Sequence, residues 1–334
     1  MKVLIGFIMD LLLGDPAWIP HPIIFIGKAI DRVKKNIQEF IYGCSFQEMK
    51  EKGSYRDPQK ELLGGGLLMT VIVGGTYLVT RAIVKTAGKI HPRLGEAVET
   101  FLIFQTLASK CLKQESMKVY KKLEWEDLPG ARTQVGYLVG RDTNELSASE
   151  VAKATVETVA ENTADGVVAR MFYAALGGAP LAMAYKAVNT LDSMAGYKND
   201  EFQYLGRASA RMDDVWNFIP ARLSAMAMIG GAKLTGYDAR SGWKIFKRDR
   251  YNHLSPNSAQ TESVAAGALH IQLGGTHNYF GRPVQKPTIG DDIRPVEPDD
   301  IKGANDLMYG AAIISAGAVA LIKGFNYLQK KWKD

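Results

Sequence analysis

Leu62-Leu-Gly-Gly-Gly-Leu-Leu-Met-Thr-Val-Ile-Val-Gly-Gly-Thr-Tyr-Leu-Val-Thr-Arg-Ala-Ile-Val84 runs for 23 residues with a single charge, Arg81, near its end. A bilayer core of about 30 Å needs roughly 20 apolar residues in a helix. This stretch meets that requirement, and so the chain reads as an integral membrane protein. Leu307 to Ile322 adds 16 uncharged residues, extending to Leu328 if Lys323 snorkels toward the headgroups. Three further stretches carry two charges each: Val167–Val188 with Arg170 and Lys186, Phe218–Leu234 with Arg222 and Lys233, and Ala97–Leu112 with Glu99 and Lys110. Charge at membrane depth is tolerated where it faces protein, so each is a candidate span or a buried helix. The expectation is an all-α, polytopic membrane bundle of four to five spans, with residues 1–334 as one domain and cytoplasmic loops and helices.

Outside these runs the chain is basic, with a net charge of +6. Eight basic residues lie between Lys28 and Lys60, five between Arg240 and Arg250, and three more are Lys330, Lys331 and Lys333. Because the clusters flank membrane segments, the positive-inside bias accounts for them without a nucleic-acid partner. It places both the Lys28–Lys60 region and the carboxyl end in the cytoplasm. Met1–Leu13 resembles a secretory signal, but Asp10 interrupts it and Gly14-Asp15-Pro16 stands where small cleavage-site residues belong. It reads as retained, one half of a broken helix that resumes after Pro20 and Pro22. Cys44 and Cys111 have no metal-site spacing and read as inert thiols. Gln47–Glu61 and Gly281–Asp306 read as loops, the second mostly non-helical because of Pro283, Pro287, Pro295 and Pro298. The glycine pairs, Gly177-Gly178 among them, read as close-packing positions between helices.

The chemistry concentrates in the middle of the chain. Glu157, Glu161 and Asp165 are spaced four apart, one face of a helix entering an apolar segment. Acids at such a mouth suit a divalent cation with oxygen ligands; a solvated acidic helix is the plainer reading. Tyr185, Asn189 and Asp192 form a second stripe beside Lys186, and Arg207, Arg211 and Asp214 a third, with Asp213 and Asn217 adjacent. One stripe alone is indistinguishable from structural ion pairs in a bundle. Three within some 60 residues, mixing carboxylates with cations, favour a site for Mg²⁺ and phosphate groups. His21 lies between two prolines and is either a ligand contact or a turn residue. Ser255, Asn257 and Ser258 either bind phosphate or cap a helix. No Walker A pattern occurs, so any nucleotide site is not a P-loop.

These residues also carry a family resemblance. Val156-Glu-Thr-Val-Ala-Glu-Asn-Thr-Ala-Asp-Gly-Val168, Tyr185-Lys-Ala-Val-Asn-Thr-Leu-Asp-Ser-Met-Ala-Gly-Tyr-Lys198 and Ser209-Ala-Arg-Met-Asp-Asp214 resemble the core of the CbiB family, called CobD in some pathways. So do Leu13-Gly-Asp-Pro16, Pro20-His-Pro22, Val139-Gly-Arg-Asp-Thr143 and Ser255-Pro-Asn-Ser258. Ala169-Arg170 departs from the pattern, which has Ala-Pro there, and His270 is also atypical. The resemblance implies an adenosylcobinamide-phosphate synthase of cobalamin biosynthesis. Such an enzyme uses ATP and Mg²⁺ to join the corrinoid adenosylcobyric acid to an amino-alcohol phosphate, usually (R)-1-aminopropan-2-ol O-2-phosphate. It implies a multi-pass protein of the cytoplasmic membrane with its active site facing the cytoplasm. The protein partners it points to are a second copy or other membrane enzymes of late cobalamin assembly.

Within that frame Glu161, Asp165, Asp213 and Asp214 are assigned to metal, joined by Glu157, which is also a catalytic candidate. Arg141, Lys186, Arg207 and Arg211 are assigned to phosphates, with Asn189, Ser255, Asn257 and His21 as further substrate contacts. Asp192 is the candidate base for the incoming ammonium, and Lys186 a second catalytic candidate. Two rivals have weaker support. Asp165-Gly-Val-Val-Ala-Arg170 matches the opening of the CDP-alcohol phosphotransferase signature, but the continuation lacks that family's metal-binding aspartates. A membrane transporter would line a pathway with charge, whereas here the carboxylates crowd near extramembrane loops.

Overall fold

The computed structural model describes residues 1–331 except Ala17, Ser54, Lys198 and Phe280. Lys198 of one quoted motif, and Lys333 and Asp334 of the basic tail, therefore lie outside the described residues. The chain forms α1 (Lys2–Leu13), α2 (Pro22–Tyr42), a short α3 (Phe46–Glu51), α4 (Pro58–Ile90), α5 (Pro92–Phe104), α6 (Ser109–Glu124) and α7 (Leu128–Gly136). It continues with α8 (Ala148–Asn162), a π-helical turn (Thr163–Val168), α9 (Ala169–Ala195), α10 (Phe202–Leu205), α11 (Arg207–Thr235), α12 (Ala239–Asp249) and α13 (Ser258–Leu269). A hairpin of β1 (Leu273–Tyr279) and β2 (Arg282–Ile289) precedes the terminal α14 (Asp299–Lys331). The helix starts follow from local sequence. Proline stands in the first turn of α2, α4 and α5, where its missing N–H costs nothing. Ser45 with Glu48 and Ser147 with Glu150 close capping boxes on α3 and α8.

Among the described residues, three helical stretches are long and apolar enough to cross a membrane: Pro58–Ile90, Ala148–Ala195 and Asp299–Phe325. That is fewer than the four to five expected. Ala97–Leu112 is not one helix: the chain unwinds between α5 and α6, where the Asp10 carboxylate accepts the Ser109 N–H at 3.0 Å. Phe218–Leu234 lies in α11, which is not among the three. The helices still present apolar side chains outward. Leu63, Leu67 and Leu78 of α4, Phe218, Ile219 and Leu223 of α11, and Ile313 and Leu321 of α14 are all exposed. Apolar faces of this extent fit a lipid environment.

Ala148–Ala195 does not cross in one piece. Gly177 and Gly178 leave helical geometry, Gly178 at φ 67 and ψ −160, a backbone region that is essentially glycine's own. Pro180 follows and cannot close the helical hydrogen bond. The chain reverses here. Tyr173 stacks on Tyr185 with ring centroids 4.9 Å apart, and Asn189 donates to Asp165 at 3.3 Å. A straight helix would hold Asp165 and Asn189 about 36 Å apart at 1.5 Å per residue. The segment is a helical hairpin, and the Gly177-Gly178 pair makes its tip. Broken backbone at membrane depth is tolerated where protein surrounds it, and Glu99 of α5 packs against Gly178 while holding Lys2 at 2.5 Å.

Two expectations need correction at the level of the whole bundle. The fold is not purely helical, because 273–289 form an antiparallel hairpin inside and beside the stretch read as a loop. Pro283 and Pro287 are compatible with it because both strands are edges. The two basic regions also fail to share an end. Lys60 lies in the first turn of α4, while Lys323 shares a groove with Met1, Arg93 and Glu96, next to where Gly95 packs on Gly88 in the last turns of α4. A helix of 33 residues separates these ends by about 50 Å. If α4 crosses the membrane, the Lys28–Lys60 region and the carboxyl end face opposite compartments.

Candidate functional site

At the Lys60 end of the bundle, the mouth of the helical hairpin opens into a cavity of about 1050 Å³. That is the upper end of the range for small-molecule sites, roughly 300–1,000 Å³. One wall is acidic: Glu161 from α8, Asp165 from the π turn, Asp192 from the returning limb, and Asp213 and Asp214 from α11. The same cavity is lined by His253, Arg282 and Lys286, and by Ser255, Asn257 and Ser258 leading into α13. Lys50 of α3 completes the rim and binds Asp200 at 2.8 Å.

Hydrogen bonds fix the acidic wall. Ser258 donates to Glu161 at 2.6 Å, and Asn189 holds Asp165 from behind. Asn217 donates to Asp213 at 3.0 Å and accepts from the buried Tyr185 hydroxyl at 2.6 Å. Asn257 donates to the Asp214 carbonyl at 2.9 Å. The second oxygen of Asp213, Oδ1, is buried with no hydrogen-bond partner among the described residues. Burial pushes the Asp213 carboxyl up to about 6, with Asp214 and Glu161 adding to the rise against the hydrogen bonds from Asn217 and Asn189. Glu262 of α13 is buried behind this wall, and burial together with Glu161 and Glu157 raises its carboxyl well above the usual range. Lys286 is pulled down by burial but held above its ordinary value overall by Tyr279, Glu262 and Glu157. Carboxylates so placed accept a hard cation, while the cationic side chains and the α13 amino terminus suit phosphate oxygens.

The structure divides the sequence-read residues into three groups. Glu161, Asp165, Asp192, Asp213, Asp214, Ser255 and Asn257 line this cavity together. Asn257 stands at the α13 N-cap position but makes no side-chain cap bond, so its amide is engaged with the site and not the helix.

Glu157 is elsewhere. Its carboxylate binds the Arg141 guanidinium and accepts the Gly274 N–H at 2.7 Å, both charged side chains less than a tenth exposed. This buried pair ties α8 to the β-hairpin, so neither residue reaches the acidic cavity. The expected single acidic face is divided within α8 itself: Glu161 lines the cavity with Asp165, while Glu157, one turn earlier, is engaged by Arg141 and β1. Arg207 and Arg211 are exposed and outside the cavity. Its cations come from β2 instead, where Arg282, Val284 and Lys286 alternate toward the site with the period of two that strands impose.

Lys186 and His21 form the third group, on the other side of the returning limb. The Lys186 Nζ donates to the Gln105 carbonyl at 2.9 Å and lies 3.2 Å from His21 Nε2. Sequence reasoning missed His253, Arg282, Lys286 and Glu262. The alternation of β2 was the available signal for two of them, obscured by its prolines. Among the described residues no three His, Cys, Asp or Glu side chains converge closely enough to enclose a metal ion on their own.

Comparison with known proteins accounts for nearly the whole chain. The family model described as CobD/Cbib protein matches residues 3–308. The cobalamin biosynthesis protein CobD of Geobacter metallireducens is 46% identical over 309 residues, covering 92% of each chain. The CobD of Listeria monocytogenes is 47% identical over 310 residues, covering 93% of this chain and 94% of its own. The cobalamin biosynthesis protein CbiB of Salmonella typhimurium is 44% identical over 316 residues, 93% of each. No solved structure matches. With the family model spanning residues 3–308 and relatives of this identity matching over nine-tenths of each chain, the chain belongs to the CobD/CbiB family of cobalamin biosynthesis proteins.

Proposed function

We propose that the chain condenses adenosylcobyric acid with an amino-alcohol phosphate to give adenosylcobinamide phosphate, driven by ATP and Mg²⁺, with the cavity facing the cytoplasm. The observation that carries this reading is that five carboxylates share one cavity with Lys286, Arg282, His253 and the α13 amino terminus. A carboxylate is a poor electrophile. Its oxygen attacks the γ-phosphorus of ATP, the bond to the β-phosphate oxygen breaks, and ADP leaves an acyl phosphate. The amine lone pair then attacks the carbonyl carbon, the bond to phosphate breaks, and inorganic phosphate departs. The ammonium loses two protons overall on becoming an amide N–H. Asp192, on the cavity wall, is placed to take the first.

The acidic wall fits Mg²⁺ by donor chemistry: every group is a carboxylate, and Asp213 Oδ1 is buried without a partner. Because no three carboxylates converge, one or two of them would hold the ion alongside substrate phosphate oxygens, the usual mode for Mg²⁺. When bound, the ion neutralises charge on the transferring phosphoryl group. Lys286 and Arg282 meet the phosphates.

The test is turnover per folded molecule across a Mg²⁺ titration. Purified protein receives adenosylcobyric acid, aminopropanol phosphate and ATP, and the corrinoid product is identified by mass. Glu161→Gln and Asp214→Asn delete charge at constant size, and each is expected to lower turnover by orders of magnitude, roughly 3 kcal/mol or more, and to raise the Mg²⁺ requirement. Near-normal turnover at ordinary Mg²⁺ in well-folded Asp214→Asn would remove that residue from the site.

A further inference from the structure

The cluster around Lys186 gathers its donors about two backbone carbonyls, those of Gln105 and Thr106. Lys186 and Arg170 are both buried, yet no carboxylate lies within ion-pair distance of either among the described residues. Arg170 donates to the Thr106 carbonyl, but its Nε–H is buried without a partner. His21 adds a third donor. Its Nδ1 accepts the Ile23 N–H at 3.2 Å, and burial with Lys186 and Arg170 nearby holds the ring down to about 4, hence neutral. A neutral imidazole that accepts at Nδ1 carries its proton at Nε2, and Nε2 is the atom 3.2 Å from Lys186 Nζ. The nearest acceptors are Asp15, 3.7 Å away, and the Gln105 carbonyl, which Lys186 already engages.

Unpaired buried donors are costly. One oxyanion beside Arg170 Nε would satisfy that donor and offset the uncompensated charge of the cluster. Acceptors are stranded in the same place: Asp10 Oδ1 and Gln105 Oε1 are buried without partners. Asp10 and Asp15 offset the two cations at longer range, so a bare dianion is a poorer match than a ligand carrying its own ammonium. Asp15 and His21 are the partly exposed members, which leaves the cluster reachable from the surface.

We propose that His21, Arg170 and Lys186 form a binding subsite for the phosphate of a small zwitterionic phosphomonoester. This rests on the amide-forming reaction proposed for the chain, in which such a compound is the amine substrate. The subsite holds the phosphate on one side of the returning hairpin limb while Asp165 and Asp192 act on the other.

The experiment uses the full chain in detergent without ATP or corrinoid, and reads thermal stabilisation by O-phosphoethanolamine, inorganic phosphate and ethanolamine. Saturable stabilisation is expected with O-phosphoethanolamine, at least tenfold weaker affinity with inorganic phosphate, and none with ethanolamine. Arg170→Met and Lys186→Met should each weaken binding at least tenfold, and Asp214→Asn should leave it unchanged. His21→Asn keeps an N-cap acceptor but removes the Nε2 donor, so it reports on the subsite even if a buried substitution fails to fold. Its binding should fall as well. Stabilisation that persists in His21→Asn and Arg170→Met, that is lost in Asp214→Asn, or that is absent from the unmodified protein overturns the proposal. Intact binding without amide product would instead refute the reaction while leaving the subsite standing. Product formed by Arg170→Met with an unchanged KM for the amine would do the reverse.

Discussion

Gly178→Ala separates a helical hairpin from a continuous membrane helix by the sign of its effect. In a continuous helix, alanine is favoured over glycine by about 1 kcal/mol, so the variant would be more stable. In the hairpin, Gly178 sits at φ 67 and ψ −160, where any side chain is strained by about 1–3 kcal/mol. The new Cβ would also fall 2.1 Å from Glu99 Oε1, forcing that carboxylate away from Lys2. Together the two effects come to about 3 kcal/mol, or a fall in Tm of roughly 5 °C or more. Gly66→Ala is the control: its Cβ meets nothing within 4 Å and its φ is ordinary. The assay is a melting curve in detergent with turnover per folded molecule alongside. Gly178→Ala should lose activity beyond its loss of stability, because Asp165 and Asp192 ride on opposite limbs. A Tm equal to or above that of Gly66→Ala would refute the hairpin.

Asp213→Asn should be stabilised at pH 8 and not at pH 4. The folded carboxyl titrates near 6 against an ordinary 3.8, so stability is lost as pH rises between those values, up to about 3 kcal/mol; a Tm gain independent of pH would contradict this. Cys44→Ala with Cys111→Ala should leave turnover largely intact, since burial and the neighbouring Asp15 push the Cys111 thiol up to about 11, far from the reactive thiolate; loss of activity in folded protein would reveal a thiol role. Topology reporters in the Gln47–Glu51 segment and after Asp334 should read opposite compartments, because α4 separates those ends; agreement between them would mean that α4 does not cross.

The sequence made much of the acidic wall legible, because Glu161, Asp165, Asp192 and Asp214 fall on helical stripes with Asp213 adjacent, and the structure brings all five together. Glu157 was misplaced for a physical reason: it shares a face of α8 with Glu161 but lies one turn, about 6 Å, further from the cavity, where Arg141 and the Gly274 N–H of β1 engage it. Gly177-Gly178 was visible but ambiguous, since close packing and chain reversal both ask for a residue without a side chain. The prolines of β2 concealed Arg282 and Lys286, whose alternation matters only once β1 lies beside it. Arg207 and Arg211 show the converse. Correct spacing put them on one face, but spacing does not say whether that face looks into a cavity or out to solvent.

The π turn at Thr163–Val168 gives the site a property that no single side chain carries. A π turn holds more residues than the α turn it replaces, so the chain carries an extra residue there without turning α9 against α8. Removing one residue, Ala164 for instance, would let the turn close into ordinary helix, with α9 nearly keeping its phase and Arg170 still beside Thr106. What would be lost is local: the widened backbone that carries Asp165 at the cavity wall would narrow while every functional residue was still present. At this point in the chain the chemistry is written in residue count as well as in residue type.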